Sequence, residues 1–182
     1  NPGIGVFFST VNGDLFLISD SGNITLDFQC QAFCSGNGSA TVTCSNGALT
    51  LKPINSAINT GNGQPITINA NSLLVGDGTQ IGSSASGLLT CTIAGAAQFL
   101  ATTNTTTVTG GAAGLVFSAD SLTLQAPSTA NFARLEAYGG TLTCNIGGAA
   151  LLELVAPGTG DGIAEIINHG VGGSVVFTAD SL

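Results

Sequence analysis

The chain has 182 residues, enough for one domain or a row of small repeats, and 43% of them are hydrophobic, so it is no disordered tail. Only 7% are charged, with a single lysine (Lys52), a single arginine (Arg134) and a net charge of −8, against about 25% charged residues in an ordinary soluble domain. So few cations build no phosphate-binding patch, which excludes nucleic acid and argues against anionic membrane surfaces as partners. No apolar run reaches the roughly 18 residues of a membrane span, so membrane insertion is not expected.

The chain opens at Asn1 and contains no Met, which reads as a processed or truncated start. Gly3, Ile4, Gly5, Val6, Phe7 and Phe8 form an apolar segment, expected to serve as an assembly strand supplied to a neighbouring copy. "LFLISDSGNITL" at residues 15–26 is a faint copy of a motif seen later and marks a first, weak unit over residues 1–35. Cys30 and Cys34, flanked by Phe28 and Phe33, are the candidate disulfide pair. Asn23, Asn37 and Asn104 each begin an Asn-x-Ser/Thr sequon, a glycan acceptor in a secreted protein.

From residue 40 the repeats sharpen. "GLLTCTIAGAAQFL" at 87–100 matches "GTLTCNIGGAALLEL" at 140–154, and "VFSADSL" at 116–122 matches "VFTADSL" at 176–182. Two units follow, over about 87–126 and 140–182, the second with an insertion near 156–170. A third unit over 40–75 carries "ATVTC" and "ITINANSLLV" at the corresponding places. The last copy stops at Leu182 where its siblings continue, which reads as an open edge awaiting another subunit or as a cut. The whole, 1–182, is taken as a single repeat domain.

Within units the pattern has period two: "ATVTC", "ITINA", "LTLQA", "ARLEA" and "VVFTA" alternate in size or polarity, the signature of strands with one buried face. Asn-Gly begins at Asn12, Asn37, Asn46 and Asn62, and Asp-Gly at Asp77 and Asp161, supplying the left-handed positions of tight turns. The fold class is therefore all-β, built of short-strand repeats. A β-sandwich or jelly roll is favoured by the turn dipeptides, which suggest antiparallel hairpins. A β-solenoid is favoured by the echoes "ARLEA", "LLELV" and "IAEII", and would stack Cys44, Cys91 and Cys144 in one column.

Chemistry is sparse. The three repeat cysteines read as small buried hydrophobes, and the five cysteines and single His169 lack metal-site spacing. His169 lies in a loop-like "NHGVGG", and no Gly-x-Ser-x-Gly elbow accompanies it. Glu136, Glu153 and Glu165 are candidate acids for glycoside hydrolysis, but the chain has no Trp and one Tyr to hold a sugar. Asp120 and Asp180 sit in the repeated Ala-Asp-Ser, where Asn71 replaces them in the third copy, so a turn-forming role is expected. Calcium is the one ion considered, at "GDG" 76–78 and 160–162, without the repeated carboxylates a calcium-binding repeat needs. No enzyme activity and no cofactor are expected.

"FARLEAYGGTLTCNIGGAALLEL" at 132–154 resembles the repeats of extracellular β-repeat proteins: prokaryotic filament and sheath subunits, adhesin repeats and phage fibre segments. The resemblance is general and carries over no functional residue. It implies an extracellular structural protein, at a cell or virion surface, that self-assembles into a filament, sheath or surface layer by β-strand pairing with copies of itself. A receptor-binding fibre or adhesin module is the alternative.

Overall fold

The computed structural model describes residues 6–83, 85–126, 131–153 and 162–182. In chain order the strands are β1 (Phe7–Val11), β2 (Leu15–Ile18), β3 (Ile24–Leu26), β4 (Gln31–Ser35), β5 (Ala40–Leu51), β6 (Ala57–Thr60), β7 (Ile66–Val75), β8 (Gln80–Gly82) and β9 (Leu89–Ile93). They continue as β10 (Ala96–Leu100), β11 (Thr106–Gly110), β12 (Gly114–Ala119), β13 (Ser121–Gln125), β14 (Phe132–Ala137), β15 (Thr141–Ile146), β16 (Ala150–Glu153), β17 (Ile163–Asn168) and β18 (Ser174–Thr178). No helix occurs among the described residues, so none is long and apolar enough to cross a membrane.

The strands pair in parallel, and each pairs with a strand a full turn of the chain away. One seven-stranded sheet runs β1-β4-β6-β8-β11-β14-β17. A second sheet divides into two columns, because β5 and β7 each span both: residues 66–70 of β7 pair with β9, and residues 73–75 with β10. The molecule is a β-solenoid with three strand columns per turn. This decides against the sandwich, and the reason lies in the corners. Two of the four Asn-Gly dipeptides take left-handed backbone, with φ 58° at Asn12 and 52° at Asn62, whereas Asn37 and Asn46 do not, and Asn46-Gly47 lies within β5. But the strands they join, β1 to β2 and β6 to β7, do not pair with each other. The dipeptides turn the chain from one column to the next instead of reversing it into a hairpin.

Corners also explain the repeated motif. In β7, Ile66, Ile68 and Ala70 face inward, Asn71 and Ser72 both face out, and Leu73 and Val75 face in again. Two consecutive outward residues break the period of two and bend the strand. Ala119 and Leu122 bracket Asp120-Ser121 in the same way between β12 and β13. The bend is held by main chain: the Asp120 and Asp180 N–H groups donate to Gly95 and Gly148 oxygens, each 3.0 Å away on the preceding turn. The expectation that the carboxylates shape this turn is corrected, since the side chains of Asp120 and Asp180 are exposed to water.

The core is a set of inward columns. One runs Leu17, Val42, Ile68, Cys91, Phe117, Cys144, Phe177 through matched registers. Hence the "LTC" and "VF(S/T)A" blocks, which look like the opening and closing of one unit, occupy the same structural place on alternate turns. The sequence repeat spans two turns. Alternating Cys with Phe alternates small with large, which fills a stacked column without a void or a clash. Phe117 meets Phe99 of the adjoining column edge to face, ring centroids 5.8 Å apart. Cys44 is not in this column, as a solenoid was expected to require. It pairs with Ala70, and Ala70 with Ile93, one inward position further along.

Candidate functional site

Asp77 is the most heavily bonded side chain among the described residues. It follows β7 at the corner leading to β8 and is 7% exposed. Its Oδ1 accepts the N–H groups of Thr102 (2.7 Å), Thr103 (2.9 Å) and Asn104 (2.8 Å). Its Oδ2 accepts the Thr103 hydroxyl (2.5 Å) and Asn104 Nδ2 (3.1 Å). Burial works to raise its pKa, but the hydrogen bonds from Thr103 and Asn104 outweigh it and hold the carboxyl at about 2. All these donors sit one turn further along the chain, so Asp77 ties two turns together. It also argues against calcium, the one ion considered, at 76–78: a carboxylate ringed by N–H and O–H donors faces positive dipoles, the wrong surroundings for a cation. Asp161 of the second "GDG" lies outside the described residues, and among these no cluster of three or more His, Cys, Asp or Glu side chains is placed to hold a metal.

A second polar cluster lies on the outward side of the seven-stranded sheet. Glu136 of β14 is 5% exposed. Thr109 Oγ1 of β11 donates to its Oε1 at 2.8 Å, and His169 Nε2 lies 3.3 Å from its Oε2. The His169 ring packs on Tyr138, centroids 4.9 Å apart. His169, read from sequence as a loop residue, is thus a clamp that closes the corner after β17 over β14. Both Glu136 oxygens are engaged and no hydroxyl is bonded to the imidazole, so the arrangement is not that of a nucleophile with its base. Glu165 pairs with Arg134, whose guanidinium also lies over the Phe132 ring at 3.4 Å. Glu153 belongs to β16, in a different sheet from Glu136 and Glu165. Glu136 and Glu165 lie on neighbouring strands of one sheet, but each carboxylate is engaged elsewhere, Glu136 with Thr109 and His169 and Glu165 with Arg134.

All five cysteines are free and buried. Cys30 and Cys34 are four residues apart on extended chain, about 13 Å at 3.3 Å per residue, whereas a disulfide needs Cα atoms within about 7 Å. The expected bond between them is ruled out by geometry. The sequon asparagines divide. Asn23 and Asn37 are exposed, whereas Asn104 Nδ2 already donates to Asp77 Oδ2 and to Thr103 Oγ1.

The apolar opening segment is placed only in part: Gly3, Ile4 and Gly5 lie outside the described residues. Phe7 and Phe8 begin β1 and pair in their own chain with Gln31 and Ala32 of β4. They are built into the ladder, which corrects the expectation of a strand donated to a neighbour. Gln31 N donates to Val6 O, and Asn12 N to Ser35 O. Alternation along a parallel strand then turns the N–H and C=O groups of Phe7, Ser9 and Val11 to the opposite edge. That edge has no ladder partner among the described residues. Phe7, Val11, Phe16 and Ile18 face outward on this first turn and are 60–76% exposed.

Beside them the seven-stranded sheet carries a shallow groove of about 310 Å³, lined among others by Phe7, Gln29, Gln31, Asn55, Ala57 and Gln80. Gln31, Ala57 and Gln80 are register partners on three successive strands. The small Ala57 leaves the gap. At the groove's end Gln29, Asn55 and Gly78 hold equivalent positions and share left-handed φ values of 57°, 62° and 66°.

No family model matches the chain, and neither a curated protein nor a solved structure is similar to it.

Proposed function

We propose that this protein is an extracellular structural subunit that self-assembles end to end into a filament, sheath or surface layer, by parallel strand pairing between copies. One observation carries the reading: the free edge of β1 presents the same parallel main-chain pattern that joins every turn of the solenoid to the next. β17 and β18 form the opposite edges of the two sheets among the described residues. Setting β17 of one copy against β1 of the next continues the seven-stranded sheet. Kept in the register of the existing columns, it brings Ile166 over Phe8 and Asn168 over Thr10, and Val175 and Phe177 over Leu15 and Leu17, with apolar side chains at three of the four contacts. Such a head-to-tail contact does not close on itself, so it propagates.

Edge protection is weak. Lysine and proline are the usual guards of an open strand. Here Lys52 pairs with Asp27 at 2.8 Å, and Arg134 pairs with Glu165 on the far turns. Neither cation covers β1.

Ser9→Pro tests the reading. It removes an N–H aimed at the free edge and leaves the bonds to β4 in place. Wild type is expected to form elongated polymers by negative-stain microscopy and light scattering, and Ser9→Pro discrete particles with the same β circular dichroism. A wild type that stays monomeric at all concentrations, or polymers untouched by Ser9→Pro, would overturn it.

The alternative, a fibre or adhesin module, is favoured by one feature, the groove beside Phe7.

A further inference from the structure

We propose that the groove between Gln31 and Gln80 binds a neutral saccharide. The site does not depend on self-assembly, because it lies on the side of the sheet and not at its edge.

The lining sets the ligand's chemistry. Gln29, Gln31, Asn55 and Gln80 make no side-chain hydrogen bond among the described residues, so four carboxamides stand ready around one hollow. Each carboxamide offers donors and an acceptor together. A saccharide hydroxyl also donates and accepts, so the two sets match without either side being left unpaired. The lining contains no charged side chain. A charged ligand would shed water and find no counter-charge. An aliphatic ligand would leave the amides unsatisfied. An added peptide strand is disfavoured as well, since β4, β6 and β8 are paired on both edges and offer no free main chain.

Shape supports the same class. Gln31 and Gln80 are both register partners of Ala57, so their Cα atoms stand about 9.5 Å apart across one missing side chain. Phe7 is 67% exposed at the rim and presents an apolar face on which the C–H side of a sugar ring can lie. A second hollow continues the first past Gln31, Ala57 and Gln80 to Phe33 and Asn59, which extends the site along the strands toward a second sugar unit. The left-handed residues Gln29 and Asn55 are the kind of strained non-glycine positions that gather at ligand clamps. They fix the main chain that carries two of the four amides.

The test is calorimetric titration of the full chain with neutral gluco-, galacto- and manno-oligosaccharides of two to four units, with oligogalacturonate as the acidic control. At least one neutral series is expected to bind and the acidic control not to. Gln31→Ala/Gln80→Ala, two partly exposed positions, is expected to weaken binding roughly tenfold or more with unchanged circular dichroism. Should that variant misfold, the side-chain NH₂ resonances of Gln31 and Gln80 in the native protein must shift on titration. Silence of every neutral series at millimolar ligand, binding of the acidic control alone, or binding that leaves both the variant's affinity and those resonances unmoved would overturn the proposal.

Discussion

Cys91 and Cys144 occupy one inward column two turns apart, with Phe117 between them as the register partner of both. Their Cα atoms are therefore about 9.5 Å apart, beyond the reach of a disulfide. Burial pushes both thiols up, Cys144 to about 12 and Cys91 further still. Neither is expected to react with a thiol reagent at neutral pH until the protein unfolds. Labelling of the native chain followed by mass spectrometry checks this, and rapid modification of either would contradict the column.

The same column predicts a size rule. Phe117→Ala removes a fully buried ring wedged between two cysteines, and is expected to cost about 3–5 kcal/mol. Cys91→Phe, which puts two rings on adjacent strands, is expected to cost about 1–3 kcal/mol by overpacking. Combining the two should recover part of the loss, because the volume is moved and not added. Denaturant unfolding of the three variants decides it; simple additivity would mean that Cys–Phe alternation is incidental.

Asp77 predicts an acid-sensitive fold. Its pKa falls from the ordinary value of 3.8 to about 2 on folding. A depressed pKa contributes stability that is full above the unfolded value and lost as pH falls through the folded one. The window is thus pH 4 down to 2, and the stake is on the order of 2 kcal/mol. Asp77→Asn keeps the shape but turns an NH₂ toward N–H donors. It should lower stability at pH 7 and flatten the loss between pH 4 and 2. Unfolding curves across that range measure both effects.

The Glu136 clamp predicts a graded response. Glu136→Ala strands the Thr109 hydroxyl and removes the partner of His169, for an expected loss of about 1–3 kcal/mol. His169→Ala should cost less, since its side chain is partly exposed. The double variant is expected to fall short of the sum, because both substitutions remove one contact. A thermodynamic cycle that is additive would show that the contact contributes nothing.

Glycan mapping separates the sequons. Expressed in a glycosylating secretory host, Asn23 and Asn37 are expected to be modified and Asn104 to be left bare. Its amide nitrogen is committed to Asp77 and Thr103. Full occupancy at Asn104 would mean that the Asp77 corner forms after glycan transfer.

Part of this architecture is legible in the residues themselves. Period-two stretches name the strands, because an alternating segment has one face to bury whichever neighbour it meets. "ITINANSLLV" and "LVFSADSLTL" are true equivalents, since Asn71-Ser72 and Asp120-Ser121 make equivalent corners. The likeness of "ATVTC" to "GLLTC" misleads by two residues, because Ala40 pairs with Ile66 and Ile66 with Leu89. A slip of two keeps every side chain on its own face, so periodicity alone cannot detect it. Neither polar cluster leaves a signal in the sequence. The link from Thr109 to Glu136 spans 27 residues and that from Glu136 to His169 spans 33, and unequal turns hide any fixed spacing.

By itself, then, the sequence determined the β character, the repeats and the poverty of cations, since these depend on residue type and on neighbours a few positions away. The tertiary structure alone decided that the strands run parallel, that Cys alternates with Phe in one column, and that Asp77 and Glu136 find their donors. Each of these is a contact across a full turn of chain. Its register is fixed by how the corners close and how large and small side chains stack, and no local pattern encodes that.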